Sequence, residues 1–183
     1  MPNDGALLVL GGLRQGLHTF KPAPEYNFIR DNSNNYIFVL DIDEGNQWSF
    51  DVNQLKSELS APLQVNNQQF HYHRESGILH IIGGYMWKAD QSDMKTFGTL
   101  ITANAEKFIQ AVKSGMAISE IESLFEYLQD DRLAVTIEDL LVLNNNFYLV
   151  MGQWVDGQNG ALGRTDFTQE YTEEIRVFSL NPN

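Results

Sequence analysis

The sequence of 183 residues predicts an all-β fold of about three four-stranded antiparallel sheets, the plan of β-propeller blades, with one short helical insertion. The main observation is an apolar run that ends in glycine and occurs three times, at residues 5–13, 77–85 and 146–154. With Gly11, Gly83 and Gly152 aligned, the copies are separated by 83 − 11 = 72 and 152 − 83 = 69 residues. A buried strand that recurs at a long, nearly constant period indicates repeated β-sheet units.

The first repeat, residues 5–60, continues with two further strands. One is predicted at 35–42, and a turn at 43–46 leads into a last strand that contains Trp48 and Phe50. The turn has an acidic residue, glycine and asparagine between two apolar runs, which is typical of a hairpin. No leading strand is predicted ahead of the glycine run, so this repeat is incomplete.

The second repeat (61–103) and the third (130–183) follow the same series of strands. Leading strands are expected at 68–73 in the second repeat, and at 133–137 and 140–143 in the third. After the glycine runs, further strands are expected at 96–101 and 174–180. The third repeat stops before a fourth strand.

Residues 104–129 break the strand pattern between the second and third repeats. Their apolar residues fall at helical spacing, and Gly115 separates two short helices, which together predict a helical insertion. The apolar face of this insertion either packs on the rim of the sheets or binds a partner. The residues on that face are Phe108, Ile109, Val112, Ile118, Ile121, Leu124, Phe125 and Leu128.

Composition excludes several classes of function. With 24 acidic and 12 basic residues the net charge is −12, which opposes binding to nucleic acid and to anionic membranes. The chain has no cysteine, which excludes disulfides, a thiolate nucleophile and cysteine metal ligands. No apolar run approaches the ~20 residues that span a bilayer, and the start has no signal-like stretch. We therefore expect neither membrane insertion nor a signal peptide in this chain.

Two glycine pairs, Gly11-Gly12 and Gly83-Gly84, and the run from Tyr36 to Trp48 resemble the repeats of the kelch and galactose-oxidase-like propeller superfamily. More narrowly, nearly the whole chain is similar to kelch-like proteins of Bacteroidetes-type bacteria. The stretches that carry this similarity are 11–18, 82–85, 131–136, 147–150 and 167–176. The resemblance implies a kelch-type propeller and export to the periplasm, the cell surface or the medium. It implies no defined biochemical role.

The sequence departs from the family pattern in three ways. The third copy has Gly152-Gln153 in place of a glycine pair, only the first copy keeps a clear blade-ending tryptophan, and the family's proteins are much longer. The copper chemistry of galactose oxidase uses a tyrosine cross-linked to cysteine, which a chain without cysteine cannot form. We therefore expect no cofactor and no metal.

Three blades are too few for a propeller ring, which has four to eight. An open ring exposes strand edges and apolar blade faces. Three explanations stay open: a piece of a longer polypeptide, a chain that pairs with a second copy to make six blades, or a subunit completed by another protein chain. Each of them predicts that an isolated monomer is not the working form.

Ligand sites of propellers lie among the loops between strands, here the loops after each glycine run. Aromatic side chains beside carboxylates and amides suit a glycan, by stacking and hydrogen bonds. The candidate ligand-binding residues are Arg14, His18, Tyr85, Trp87, Arg132, Gln153, Trp154, Glu170 and Tyr171. Ordinary solvated loops are the alternative interpretation.

Other polar features carry less specific signals. His71 and His73 share one face of a strand and could hold a metal, but no third ligand is evident, and strand packing is favoured. His80 is expected to be a buried, hydrogen-bonded histidine. Residues 41–46 have glycine at position 5 rather than at position 6 of an EF-hand loop, which favours a tight turn.

Three functions are compatible with these observations. The first is a non-enzymatic binding module for a protein or a carbohydrate. The second is a sugar-directed enzyme of the epimerase or mutarotase type, since some kelch propellers handle sialic acid. It would pair Glu170 or Asp156 with Arg14, His18 or Arg132. The third is a structural subunit of a bacterial envelope or secretion complex.

Overall fold

The computed structural model of the chain describes residues 5–14, 32–90, 92–144, 146–158 and 168–179. It is mostly β, in several antiparallel sheets, which confirms the all-β prediction. In chain order the elements are β1 Ala6–Val9, β2 Tyr36–Asp41, β3 Gln47–Asp51, α1 Ser57–Leu63, β4 Gln69–His73, β5 Ile78–Ile82, β6 Tyr85–Trp87, β7 Met94–Thr96, β8 Thr99–Asn104, α2 Ala105–Ser114, α3 Ile118–Glu122, β9 Phe125–Gln129, β10 Asp139–Leu143, β11 Asn146–Val150, β12 Gln153–Asp156, β13 Thr168–Tyr171 and β14 Ile175–Ser179.

The strands form four sheets. Sheet I has the order β1-β2-β3, sheet II the order β4-β5-β8-β9, and sheet III the order β10-β11-β14. The bridging sheet, β13-β12-β7-β6, joins a hairpin that follows β5 to a hairpin that follows β11. The strands β1, β5 and β11 are the three glycine runs, so each repeat contributes one of sheets I to III.

Sheets I, II and III stack face to face in chain order. Successive side chains of a strand point to opposite faces, so β5 contributes to two interfaces. Ile81 packs with Ile37 and Phe50 of sheet I. Ile82, on the opposite face, packs with Phe147 of sheet III. Sheet II is therefore covered on both faces. Apolar side chains on its two faces contribute to two core clusters, one shared with sheet I and one shared with sheet III.

The glycine pairs hold each sheet against the segment that leads into the next one. The Gly12 N–H donates to the Val65 carbonyl and the Gly84 N–H to the Val135 carbonyl, each at 2.9 Å. A Cβ atom on Gly83 would lie 2.3 Å from the Val135 carbonyl oxygen, which no side chain tolerates. The repeated glycine is thus required by a close backbone approach between neighbouring sheets.

The structure corrects the alignment of the third copy by one residue. Met151 has a φ of 62°, which matches 66° at Gly11 and 67° at Gly83, and Gly152 at 90° matches Gly84 at 94°. The pair in the third copy is therefore Met151-Gly152 and not Gly152-Gln153, and the second separation is 152 − 84 = 68 residues. A methionine fits because its side chain is exposed and no further repeat packs on it within the described residues.

The helical segment is shorter than the sequence indicates. The second of the two helices ends at Glu122, and residues 125–129 form β9, the outermost strand of sheet II. Phe125 and Tyr127 alternate onto the face that packs against sheet I, so strand pairing prevails over the helical spacing. The helices thus form the connection between β8 and β9, two strands of sheet II, and do not lie between the second and third repeats. Much of their apolar face, including Phe108 and Ile121, is buried in the core, whereas Ile118 is exposed.

Several strand boundaries also differ from the expected ones. The strand expected at 96–101 begins at Thr99, because Thr96 ends the hairpin of β6 and β7. The strand expected at 133–137 is reduced to a single bridge between Thr136 and Gln153, preceded by a short 3-10 turn. The bridging sheet had been expected as loops.

Two of the stacked sheets have three strands. Sheet I has no described strand in the position that β4 and β10 occupy beside the glycine strands of sheets II and III. Sheet III has no described strand in the position of β9. No helix in the described ranges is long and apolar enough to cross a membrane.

Candidate functional site

The predicted ligand-binding residues of the second repeat lie in the bridging sheet and are buried. Tyr85 and Trp87 belong to the cluster that includes Met94 and Val155. The Tyr85 hydroxyl donates a hydrogen bond of 2.6 Å to the carbonyl oxygen of Gly157. These two aromatic side chains therefore join the two hairpins, and little of their surface is open to a ligand.

The predicted residues of the third repeat come together on the hairpin of β12 and β13. Gln153 lies opposite Tyr171, and Trp154 lies opposite Glu170. The Gln169 side-chain Nε2 donates to the side-chain Oε1 of Gln153 and, at 3.2 Å, to the Tyr171 hydroxyl. The result is an exposed polar patch with one exposed aromatic ring. Gln169 was missed by the sequence reasoning, although its place two residues before Tyr171 put both on one face.

The remaining predicted residues lie elsewhere. Arg14 is exposed just after sheet I, where its N–H donates to the Asn32 carbonyl, and His18 lies outside the described residues. Arg132 pairs with Asp130 at 2.5 Å and stands over the ring of Phe178. Hydrogen bonds from Arg132 lower the pKa of Asp130 to about 2.

The acid/base pair that an enzyme would need is not formed among the described candidates. Asp156 pairs with Lys88 at 3.8 Å, and Arg132 is engaged by Asp130. Glu170 lies on an exposed strand, opposite Trp154. No group of three or more side chains in the described ranges could hold a metal ion.

The three histidines of sheet II face sheet III. His71 lies directly opposite His80, and both rings contact the edge or face of Phe147, at centroid distances of 6.1 and 5.0 Å. His80 Nδ1 is 3.1 Å from the Thr102 hydroxyl. Burial, followed by the nearby charges of His71 and His73, lowers the pKa of His80 to about 4. These contacts agree with a packed, hydrogen-bonded histidine.

The most perturbed carboxyl group, Glu138, was not among the sequence candidates. Its side chain is 4% exposed, and neither carboxylate oxygen has a hydrogen-bond partner among the described residues. Burial raises its pKa to about 7, although the positive charge of Arg176 partly opposes the rise. Glu138 stands in sheet III where Gln68 stands in sheet II, each against the first glycine of the preceding pair.

Two apolar surfaces stand out instead as candidate binding sites. The outer face of sheet I is its face turned away from sheet II, and the outer face of sheet III is its face turned away from sheet II. The exposed apolar residues of the first are Leu7, Val9 and Tyr36, and those of the second are Leu141, Leu143, Ile175 and Val177.

A groove lies between β4 and the edge of β1 that pairs with no strand in the described ranges. Its cavity volume is about 540 Å³, and its walls include Leu8 and Leu10 on one side and Phe70, Tyr72 and Leu79 on the other. We call it the β1 groove. It occupies the position in sheet I that β4 fills in sheet II.

Comparison with known proteins adds no assignment. No family model matches the chain, and no curated protein matches it. The functional argument therefore depends on the geometry above.

Proposed function

We propose that this chain is a partial kelch-like β-propeller that acts as a non-enzymatic protein-interaction module. The supporting observation is the pair of apolar outer faces on sheets I and III. The four exposed residues of the sheet III face are each more than half exposed, and they lie on the two strands β10 and β14, on either side of Tyr148 in the central strand β11. Contiguous apolar surface of this kind marks protein-binding sites in soluble proteins.

The partner that fits best is a different polypeptide and not a second copy. Each copy carries a net charge of −12, so two copies repel each other at low ionic strength. Met151 adds a geometric argument. It stands in the position of Gly83, where a Cβ would lie 2.3 Å from the carbonyl of the next segment. A further repeat could not pack on sheet III in the manner that sheet III packs on sheet II.

Binding through the outer face of sheet III can be tested with a double substitution, Leu141→Asp and Val177→Asp. Both side chains are exposed, so the variant should fold, as judged by its circular dichroism and its Tm. Burying two such side chains is worth about 3 kcal/mol, so the native complex should bind roughly a hundredfold more weakly. The measurement is the mass of the native particle by light scattering, before and after the substitution.

The matched control is Ser179→Asp, which adds a negative charge on the same face without removing apolar surface. It should leave the particle intact. Equal dissociation by both variants would point to charge alone, and an unchanged particle in the double variant would refute the proposal. A particle of two identical chains, strengthened by salt, would support the second-copy alternative instead.

Carbohydrate binding is the weaker alternative. The patch of Gln153, Gln169 and Tyr171 offers a ring and two amides, but it lies on an exposed hairpin. Glycan sites usually enclose more of the ligand. Export to the periplasm or the cell surface also belongs to the proposal and rests on the resemblance alone; fractionation of the source cells tests it.

A further inference from the structure

The outer face of sheet III is a regular grid of nine side chains. Because alternate side chains of a strand share one face, each row of the grid takes one residue from each of β10, β11 and β14. The three rows are Leu143-Asn146-Ser179, Leu141-Tyr148-Val177 and Asp139-Val150-Ile175. Asp139 is therefore the one charged residue of the grid, and it lies at one end of an apolar face.

Negative charge collects at the Asp139 end of this face. Glu173 and Glu174 are exposed just ahead of β14, at the same end. The only basic residue of the three strands is Arg176, which faces sheet II and donates to the Arg132 carbonyl at 2.8 Å. Asp139 itself makes no ion pair within the described ranges. A partner that complements this face is therefore apolar and carries a cation at one end.

The protein itself contains a sheet face that is covered by such an element. The amphipathic helix α2 packs on sheet I, where Ile109 contacts a cluster that includes Val39. The last turn of α2 carries Lys113. Its Nζ atom lies 5.0 Å from the centroid of the Trp48 ring and 3.4 Å from Asp41 Oδ2. One lysine of the covering helix is thus shared between an aromatic ring and a carboxylate of the sheet.

The outer face of sheet III offers the same pair of groups. Asp41 lies two residues along β2 from the residue opposite Trp48. Asp139 lies two residues along β10 from the residue opposite Tyr148, whose side chain is half-buried. In both sheets the carboxylate and the ring are diagonal neighbours on one face, about 7–8 Å apart. One cationic side chain of a partner can therefore contact both groups.

We propose that the outer face of sheet III binds an amphipathic α-helix of another polypeptide, with a lysine or arginine that stands over Tyr148 and pairs with Asp139. This inference rests on the proposed function and names the chemistry of the partner. The outer strands of a three-stranded sheet lie about 10 Å apart, which is close to the diameter of one α-helix. The apolar stripe of that helix would cover Leu141 and Val177.

The test uses the full 183-residue chain and a fluorescein-labelled peptide of 18 residues. The peptide consists of leucine, alanine and glutamine, with leucine at helical spacing along one stripe and one lysine beside the stripe in the last turn. Two further peptides carry glutamate or glutamine in place of the lysine. Anisotropy gives the Kd of each peptide for the original chain and for Asp139→Lys, whose substituted position is exposed.

The lysine peptide should bind the original chain roughly tenfold more tightly than Asp139→Lys, and the glutamate peptide should show the reverse preference. The glutamine peptide should bind both chains within about twofold. The matched control is Glu75→Lys, which makes the same change of charge in the exposed turn between β4 and β5 and should shift each Kd by less than about twofold. Equal effects of Glu75→Lys and Asp139→Lys would overturn the proposal, because net charge would then explain the preference.

Two further changes test the helix and the ring. Proline in place of a central leucine breaks the helix and should abolish binding of the lysine peptide. Undiminished binding of the proline peptide would overturn the helical partner. Tyr148→Leu keeps apolar surface but removes the ring, so it should weaken the lysine peptide roughly threefold and leave the glutamine peptide unchanged. Equal weakening of both peptides would overturn the placement of the cation over the ring.

The inference and the proposed function fail separately. If the peptides do not discriminate between the original chain and Asp139→Lys, but Leu141→Asp with Val177→Asp still breaks the native particle, only the cationic helix is refuted. If the peptides behave as expected but the native particle is insensitive to Leu141→Asp with Val177→Asp, the helix site stands and the proposed function falls.

Discussion

Replacing Glu138 by glutamine should stabilise the protein at high pH and leave it unchanged at low pH. In the folded protein the pKa of Glu138 is raised from 4.5 to about 7, chiefly by burial. Its contribution to stability is therefore fully present below pH 4.5 and is lost as the pH rises through 7. Each pH unit between the two pKa values is worth about 1.4 kcal/mol, so the ionised carboxylate costs about 3 kcal/mol at pH 8.

An amide should fit in this position, because Gln68 holds the equivalent place between sheets I and II. We therefore expect Glu138→Gln to raise the free energy of unfolding by up to about 3 kcal/mol at pH 8 and by about zero at pH 4. The pKa of about 7 already includes the attraction between the Glu138 carboxylate and Arg176. Losing that attraction in Glu138→Gln therefore does not turn the expected stabilisation into a destabilisation.

The assay is urea unfolding at pH 4, 6 and 8, followed by circular dichroism. The control is Asp139→Asn, which removes one negative charge from the exposed neighbouring position. It should change stability by less than about 0.5 kcal/mol at each pH. A Glu138→Gln variant that is less stable than the original chain at pH 8, or a gain that does not depend on pH, would refute the reasoning.

Three further predictions follow from the stacked sheets. Between pH 6.5 and 4 the lowered pKa of His80 destabilises the fold, in opposition to Glu138, whose raised pKa stabilises it over the same range. In His80→Leu the unfolding free energy at pH 4, relative to that at pH 6.5, should therefore be higher than in the original chain by about 1–2 kcal/mol, allowing for partial exposure, in urea titrations at both pH values. Gly84→Ala should cost about 3 kcal/mol or more, since its Cβ would lie 2.4 Å from Val65 Cγ2, whereas Gly12→Ala, with open space and a similar φ of 84°, should cost about 1 kcal/mol. Equal losses of stability at the two positions would show that glycine is required by the positive φ and not by the close contact with Val65. Met151→Gly should raise Tm by about 3 °C in a thermal scan, because it relieves a left-handed backbone at an exposed position; a lower Tm would mean that the Met151 side chain contributes packing.

The repeat was the most predictable part of the fold. The glycine runs predict β1, β5 and β11, because a buried apolar strand followed by glycine is a local pattern. The local sequence pattern predicted the wrong element where pairing with a neighbouring strand determines the structure. Leu124 and Leu128 have helical spacing, but residues 125–129 pair with β8 as a strand. The one-residue shift at Met151 was also hidden, since only the backbone φ identifies the equivalent position.

The candidate site was predicted less well, because burial is not a local property. Tyr85 and Trp87 follow a glycine pair among polar residues and were expected in a loop, but they pack between two hairpins. Glu138 was not among the sequence candidates, because only the stacking of sheet III on sheet II removes it from water. The apolar outer faces, in contrast, could be inferred, because a three-copy repeat must leave two faces uncovered.

The mass of the native particle, measured by light scattering on protein purified from its source, tests the central claim most directly. If the outer faces bind another polypeptide, the mass will exceed the 20.8 kDa of one chain, and a second, different polypeptide will be present in fixed stoichiometry. The Leu141→Asp and Val177→Asp variant should then release a particle of 20.8 kDa. A stable 20.8 kDa monomer as the native form would contradict the account, because the two apolar faces would then be exposed to water in the working protein.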